Sequence, residues 1–252
     1  MFGLKKRSGT SRKRPQRSRD IAVAGRRLPL TIREHERATR LTLRIEPGGR
    51  ALKLSVPVGI EDREIDRFLH RHHGWLQSRL AKLPKASGVE EGSSIPIRGV
   101  AHRIARTGKF RGITETGEMD GEPVLRVGGA PEHLGRRIVD FLKKQARADL
   151  ETAVARHTAA LGQSAAGISL KDTKSRWGSC SSRGNLSFSW RIVMAPDYVI
   201  DYLAAHEVAH LKEMNHGPRF WALCRQLCAR TDEAKRWLKR HGSALHAIEF
   251  KP

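Results

Sequence analysis

The segment from residue 202 to residue 216, YLAAHEVAHLKEMNH, constrains the fold more than any other part of the chain. Its apolar residues and the Pro196 that precedes it predict a helix from about residue 196 to residue 214. Residues four apart on a helix lie one above the other on the same face. His206 and His210 are four apart, so the helix presents both imidazoles to one side. The fold must therefore leave a space beside this helix that two imidazoles can share.

Two imidazole nitrogens at this separation can bind one Zn²⁺ at about 2.0–2.1 Å each. Glu207 points about 100° away from His206 around the helix, outside the ligand set but within reach of a water on the metal. Zinc lowers the pKa of that water towards about 7, Glu207 takes the proton, and the hydroxide attacks a polarised carbonyl. Glu207 then passes the proton to the leaving amine. In the competing interpretation, His206 and His210 are core residues that bond to backbone groups.

A catalytic zinc usually takes three protein ligands and keeps its fourth position open. His216 is the best third candidate, because the helix should end near Met214 and the following Asn-His-Gly-Pro sequence predicts a turn. That turn can bring His216 back over the metal. Glu213 is a rival ligand, since it lies on the same helical face as His206 and His210. Its carboxylate is more simply explained as a group behind the ligands or on the surface.

The pattern along the chain predicts an α+β fold in three regions. Residues 1–27 are basic with little to bury and are expected to be disordered. Residues 28–130 are predicted to be β-rich with one helix, and residues 131–252 to hold the histidine-bearing helix. Alternating apolar residues predict a hairpin, and helical periodicity predicts a helix near 61–83. Further strands are predicted near 95–106, 123–127, 166–171 and 185–192, and a long helix near 131–157.

The charge balance is strongly basic, with 48 Lys and Arg against 26 Asp and Glu, a net charge of +22 and a pI near 11.0. Such a field favours polyanions such as nucleic acid or nucleotides, although an arginine-rich composition can also serve solubility alone. Three cysteines do not suggest a disulfide framework, and a reducing, cytoplasmic setting is expected. No apolar run approaches the ~20 residues of a membrane helix, and no secretory signal is evident. We expect no membrane association, and the oligomeric state stays open.

Several motifs together resemble a known family. The sequence KSRWGSCS at 174–181 is followed by LSFSWR at 186–191, by Ala195-Pro196, and by HEVAHLKEMNHGPRFW at 206–221. This arrangement resembles the YgjP-like metallopeptidase family of predicted metal-dependent hydrolases, from about residue 30 to Trp237. The last motif is also similar to the SprT-like zinc proteases, which act on DNA-bound proteins. The resemblance implies a minimal zincin-like domain with His206, His210 and His216 as zinc ligands and Glu207 as the base.

Three functions remain open from the sequence. The first is a zinc-dependent peptidase acting on a peptide or protein. The second is a zinc-dependent nucleotide pyrophosphatase, since the same hydroxide can attack phosphorus and the net charge attracts phosphates. The third is a nucleic-acid-associated protein with a SprT-like protease activity.

Other residues near the motif allow two explanations each. The strand at 186–192 is either an edge that pairs with an extended substrate or an ordinary core strand. Arg176 and Arg191 can steady an oxyanion, but arginine near any site is common in so basic a chain. Cys224 and Cys228 are expected to be small buried hydrophobic residues.

Overall fold

The computed structural model describes residues 16–46, 49–81, 87–109, 112–173 and 175–250. The chain divides into two compact units between residues 82 and 83. The division expected at residue 130 is corrected, because strands at 94–127 bury their apolar residues in the same core as the helices that follow. Among the described residues, no helix combines the length and the apolar character needed to cross a membrane.

The first unit is a four-stranded sheet with two helices. Its strands are β1 (Gln16–Val23), β2 (Arg26–Glu34), β3 (Thr42–Ile45) and β4 (Leu52–Val56), in the order β1-β2-β4-β3. Its helices are α1 (Asp62–Arg71) and α2 (His73–Ala81). β3 and β4 form the predicted antiparallel hairpin, and the predicted turn residues Pro47 and Gly48 lie outside the described residues. Alternate residues of β2 and β4 are buried, so one sheet face forms a core with the apolar sides of the helices.

β1 corrects the expectation that residues 1–27 are disordered, and residues 1–15 lie outside the described part of the chain. β1 pairs along its whole length with β2 in a hairpin whose turn, Ala24-Gly25, has positive φ at both residues. Arg17 donates to Asp62 on α1 at 2.8 Å, and Arg19 pairs with Asp66 on the same helix. Asp62 and Asp66 are distant in sequence from β1 and stabilise it through these contacts, although the composition of β1 alone indicates a solvated segment.

The single helix predicted for this unit is corrected to two, with His72 between them. The backbone hydrogen bonds continue across the junction, because His72 N–H donates to Phe68 at 3.1 Å and Leu76 N–H donates to His72 at 2.9 Å. Gly74 follows the break and has the low helix propensity of a residue without a β-carbon. The break is therefore a local irregularity in a nearly continuous helical segment.

The second unit combines three sheets with four helices. The four-stranded sheet has the order β6-β7-β9-β8, the three-stranded sheet β10-β12-β11, and the two-stranded sheet β13-β5. Their bounds are β5 (Ser87–Gly88), β6 (Ser94–Ile97), β7 (Val100–Arg106), β8 (Thr114–Met119), β9 (Glu122–Val127), β10 (Gly167–Lys171), β11 (Gly178–Cys180), β12 (Asn185–Ser189) and β13 (Ile248–Glu249). The helices are α3 (Leu134–Leu161), α4 (Asp197–Ala209), α5 (Pro218–Leu227) and α6 (Thr231–Ala247). The α+β class predicted from the sequence is confirmed at this level.

α4 lies inside the second unit. It is buried on nearly every side, because nine of its thirteen residues are shielded from solvent. Its neighbours include α3, α5, α6 and β11. A surface helix would show one apolar stripe and one polar face, whereas α4 is a central helix. The side chains of α4 are thereby held by packing from several directions.

Asp201 on α4 fixes that helix to α3. His157 of α3, only 3% exposed, donates from Nε2 to Asp201 Oδ1 at 2.5 Å, and Arg156 pairs with the same oxygen. Burial by itself raises the pKa of Asp201, but the hydrogen bond and charge of His157 together with Arg156 outweigh it. The pKa of Asp201 therefore lies below its usual range.

We expect Asp201→Asn to lower the free energy of unfolding by about 1–3 kcal/mol at neutral pH, because a charge-assisted bond to a buried imidazole is lost. A depressed carboxyl pKa stabilises the fold above the unfolded-state value of about 3.9, and that contribution is lost as the pH falls through the folded-state pKa. The difference between wild type and variant should therefore shrink below about pH 4. Denaturant unfolding at neutral and acidic pH measures both effects.

Glu151→Gln is the matched control on α3. Its carboxylate pairs with Arg147 at 3.0 Å, with both side chains about half exposed, so the loss should stay below about 1 kcal/mol. Equal losses in the two variants would contradict a special role for the buried pair.

Candidate metal centre

The end of α4 brings the three predicted histidines together. The helix ends at Ala209 instead of near Met214, and His210 is its C-terminal cap. The chain then tightens, because Leu211 N–H donates to Val208 and Lys212 N–H donates to Ala209. A further turn ends where Gly217 N–H donates to Asn215 at 2.7 Å, and α5 starts at Pro218. This early end of α4 returns His216 over the helix.

The three imidazoles form a compact cluster. The ring centroids of His206, His210 and His216 lie 5.1, 5.0 and 4.6 Å apart in pairs. Nε2 of His206 is 3.0 Å from Nε2 of His216, and one ligand atom from each ring lies within 4.8 Å of the others. Two nitrogens on one tetrahedral zinc are expected about 3.3 Å apart, given bonds of about 2.0–2.1 Å. The ring positions therefore fit a shared divalent cation.

Hydrogen bonds on the far side of the rings favour the same conclusion. Nδ1 of His210 lies 3.0 Å from the carbonyl oxygen of Glu213. A carbonyl only accepts, so Nδ1 carries the proton and the Nε2 lone pair stays free. Nδ1 of His206 lies 3.3 Å from the hydroxyl of Tyr202. Such partners behind a ring fix its tautomer and orientation for metal binding.

Burial favours the neutral forms of His206 and His210. It lowers the pKa of His206 to about 3, with further lowering from the neighbouring His210 and His216. Burial also lowers the pKa of His210, against the opposing hydrogen bond to Glu213. Only a neutral imidazole has a lone pair to donate, so a lowered pKa prepares His206 and His210 to bind a cation without first releasing protons.

An aromatic wall closes one side of the cluster. Phe220, fully buried on α5, packs against all three histidine rings with centroid distances of 4.9, 4.4 and 4.7 Å. Trp221 contacts His206 and His216 beside it. Low polarity on this side strengthens electrostatic interactions at the cluster.

Glu207 is buried one residue from the cluster. Its side chain is 3% exposed, and Oε2 has no hydrogen-bond partner among the described residues. Burial raises the pKa of Glu207 to about 8, and the charge of Arg176 opposes that rise. A buried carboxylate oxygen without a partner is costly, so it points to a water or a substrate group that completes its hydrogen bonding.

Gly178 on β11 makes room for that carboxylate. A β-carbon at residue 178 would lie 2.3 Å from Oε1 of Glu207 and 2.7 Å from its carboxyl carbon. Any residue with a β-carbon at this position would have to displace the side chain of Glu207. Sequence reasoning missed this contact and that of Tyr202. Tyr202 lies four residues before His206, so helical spacing could have predicted their contact. For the contact of Gly178 with Glu207, the sequence offered only the position of this glycine in the RWGSC motif.

The strand at 186–192, for which an edge position and a core position were both open, proves to be central. β12 pairs with β10 on one side and β11 on the other, so residues 186–189 form an ordinary core strand, and residues 190–194 form a 3-10 helix. The edge strands of this sheet are β10 and β11, and β11 is the one that contacts α4. The carbonyl of Trp177 accepts a hydrogen bond from Ser189 N–H, and Ser181 N–H donates to the carbonyl of Asn185. Alternate residues of an antiparallel strand direct their backbone groups to the same side, so those of Gly178 and Cys180 face away from β12, toward the open edge.

The other candidate residues have structural surroundings. Arg191 is bound to Asp172 and to the carbonyls of Leu245 and Ile248, so its guanidinium is occupied. Arg176 is exposed and acts on Glu207 through its charge. Cys224 and Cys228 are buried, as expected. Among the described residues the metal-ligand cluster consists of His206, His210 and His216, without the carboxylate of Glu213.

Two solved structures and one family model match parts of this chain. The crystal structure of the metallopeptidase zymogen of Pyrococcus abyssi abylysin is 19% identical, covers 36% of this chain and 93% of its own, and gives a TM-score of 0.33. The zymogen of Methanocaldococcus jannaschii jannalysin is 22% identical over 36% of this chain and 94% of its own, with a TM-score of 0.32. No curated protein gives a significant match. A family model for the YgjP-like metallopeptidase domain matches residues 39–241. The chain therefore belongs to the YgjP-like metallopeptidase family, which supports a metal-dependent peptidase as its activity.

Proposed function

We propose that the protein is a zinc-dependent peptidase in which His206, His210 and His216 hold the cation and Glu207 is the general base. The observation that carries the proposal is the meeting of three imidazoles at one helix end with Glu207, whose buried Oε2 has no hydrogen-bond partner among the described residues. Three histidines with an open fourth position match the ligand number of catalytic zinc sites. When bound, the cation polarises the scissile carbonyl and makes a water more acidic.

The residues of the chain have separate tasks in this proposal. Glu207 accepts the proton of the attacking water and delivers it to the leaving amine, a transfer that suits its raised proton affinity. Tyr202 and the carbonyl of Glu213 orient the rings of His206 and His210. Phe220 and its neighbours exclude bulk water from one side of the cluster.

The open edge of β11 is proposed to bind the peptide. An extended chain paired there would bond to the backbone of Gly178 and Cys180, as in other cases of strand addition. Gly178 also touches Glu207, so the paired substrate would lie beside the general base. Backbone pairing is largely indifferent to side chains, so this edge positions a substrate without dictating its sequence.

The metal site is tested by ligand substitution. His216→Ala should reduce zinc affinity at least about tenfold, since loss of even an outer partner of a ligand costs about 10–100-fold. Glu213→Ala keeps the backbone carbonyl that orients His210 and should bind zinc like wild type. Elemental analysis of the purified proteins after dialysis measures both. Zinc loss in Glu213→Ala with retention in His216→Ala would reassign the third ligand.

The general base is tested by Glu207→Gln. The amide cannot take the proton, so kcat on casein should fall about 10²–10⁴-fold while the zinc content stays that of wild type. Undiminished hydrolysis by this variant would remove Glu207 from its assigned role. Phosphate release from nucleoside triphosphates without casein cleavage by the wild type would instead favour the phosphoanhydride hydrolase.

The contact between Gly178 and Glu207 gives a third test. The new methyl group of Gly178→Ala must displace the carboxylate, and displacement of a catalytic group by about 1 Å can cost about 10²-fold in rate. Zinc binding should be retained. Ser179→Ala is the matched control, because adjacent residues of a strand point to opposite faces. Equal rates for the two variants would show that the close approach does not position Glu207.

A further inference from the structure

The solvent-facing side of α1 and α2 carries a regular row of large side chains. The row takes every fourth residue from 63 to 79, and all of its members are exposed. They are Arg63, Arg67, Arg71, Trp75 and Arg79. We call this row the arginine–tryptophan stripe. The helices turn the other side inward, where Ile65, Leu69, Leu76 and Leu80 are buried. The stripe is therefore not needed for the core of the first unit.

The stripe is continuous across the junction of the two helices. Backbone hydrogen bonds on either side of His72 keep helical spacing from α1 into α2. Residues four apart are then separated by about 6 Å along the axis, and the whole stripe extends over about 24 Å. This length suits a ligand with several repeating groups.

The arginines of the stripe differ from Arg17 and Arg19 of β1, which have carboxylate partners. Among the described residues, no ion pair involves Arg63, Arg67, Arg71 or Arg79. Asp62 and Asp66 of α1 are taken up by Arg17 and Arg19 of β1. Glu64 is the remaining acidic residue of α1. Like charges four apart on a helix repel one another, so a polyanion bound along the stripe would relieve that repulsion.

Trp75 adds a feature that charge alone does not explain. Its side chain is 46% exposed, among the largest exposed apolar groups in the described residues. Arg71 and Arg79 lie one turn before and one turn after it. An exposed aromatic ring offers a nucleobase a surface on which to stack, and the cations on either side of it attract the phosphates of the nucleic-acid backbone. Insertion into a membrane requires a broad apolar face, and the apolar face of these helices is buried.

We propose that the arginine–tryptophan stripe binds single-stranded nucleic acid. The arginines contact successive phosphates, and Trp75 stacks on an unpaired base. Stacking needs a base that is free of a duplex. The binding is sequence-tolerant, because phosphates and the faces of bases are common to all sequences. This function is independent of the chemistry proposed at the metal centre.

The test uses the full-length chain and fluorescently labelled oligonucleotides. Anisotropy titrations with single-stranded oligo(dT), oligo(U) and a DNA duplex, each over a series of salt concentrations, give affinities and salt slopes. Trp75→Ala should weaken single-strand binding about tenfold, and duplex binding far less. Trp75→Phe should restore much of the loss, because phenylalanine also stacks.

The charges are tested with two matched double variants. R67Q/R71Q should make the salt dependence of single-strand binding shallower by about 1.4 logarithmic units per decade of salt, at about 0.7 per phosphate contact. R27Q/R33Q removes the same charge from exposed residues of β2 in the same unit and should leave the slope near that of wild type. Both variants retain residues 1–15, so that segment contributes equally. Thermal unfolding verifies that each variant is folded.

Specific outcomes would overturn the proposal. They include absence of single-strand binding by the wild type at low salt, equal losses for R67Q/R71Q and R27Q/R33Q, and equal effects of Trp75→Ala on single strand and duplex. Vesicles containing phosphatidylserine form a further arm of the experiment. Trp75-dependent binding to these vesicles without binding to oligonucleotides would assign the stripe to membranes instead.

Discussion

The burial of α4 is the constraint on which the rest of the candidate centre depends. Because packing surrounds this helix, its last turn cannot move without disturbing α3, α5 and α6. The early end of α4 then determines where His216 returns over His206 and His210. A surface helix with the same HEVAH sequence would present two imidazoles to water, with neither the aromatic wall nor the buried carboxylate. The burial of α4 is therefore what brings the helical spacing of His206 and His210 together with His216 and Glu207.

Desolvation shifts the pKa values of His206 and Glu207 in opposite directions. It favours the neutral imidazole of His206 by lowering its pKa, and it favours the protonated carboxyl of Glu207 by raising its pKa. The uncharged forms of His206 and Glu207 are therefore favoured when no cation is bound, and burial of uncharged groups costs less than burial of charged ones. A bound cation restores charge at the centre, and the carboxylate form of Glu207 is favoured by a nearby positive charge. In the proposed mechanism, cation binding would therefore favour the form of Glu207 that can accept a proton.

The sequence predicted those parts of the molecule that depend on neighbours along the chain. The pairing of His206 with His210 follows from helical spacing, and the return of His216 from a turn signalled by Gly217 and Pro218. β1 could not be predicted in this way, because Arg17 and Arg19 find their carboxylates 45 and 47 residues later on α1. Gly178 and Glu207 likewise meet only in the folded chain. The edge position of β11 is a property of the sheet order, which periodicity does not encode.

Charge is used differently at the two places where function is proposed. At the stripe, exposed arginines act through fields that salt screens over about 8–10 Å at ordinary ionic strength. At the metal centre, buried groups act on one another across a few ångströms of low polarity, where salt has little access. Rising ionic strength should therefore weaken nucleic-acid binding steeply while hydrolysis of an uncharged peptide changes little. If peptide hydrolysis instead fell as steeply as binding, the arginines would have to contribute to substrate capture, and the two functions would not be independent.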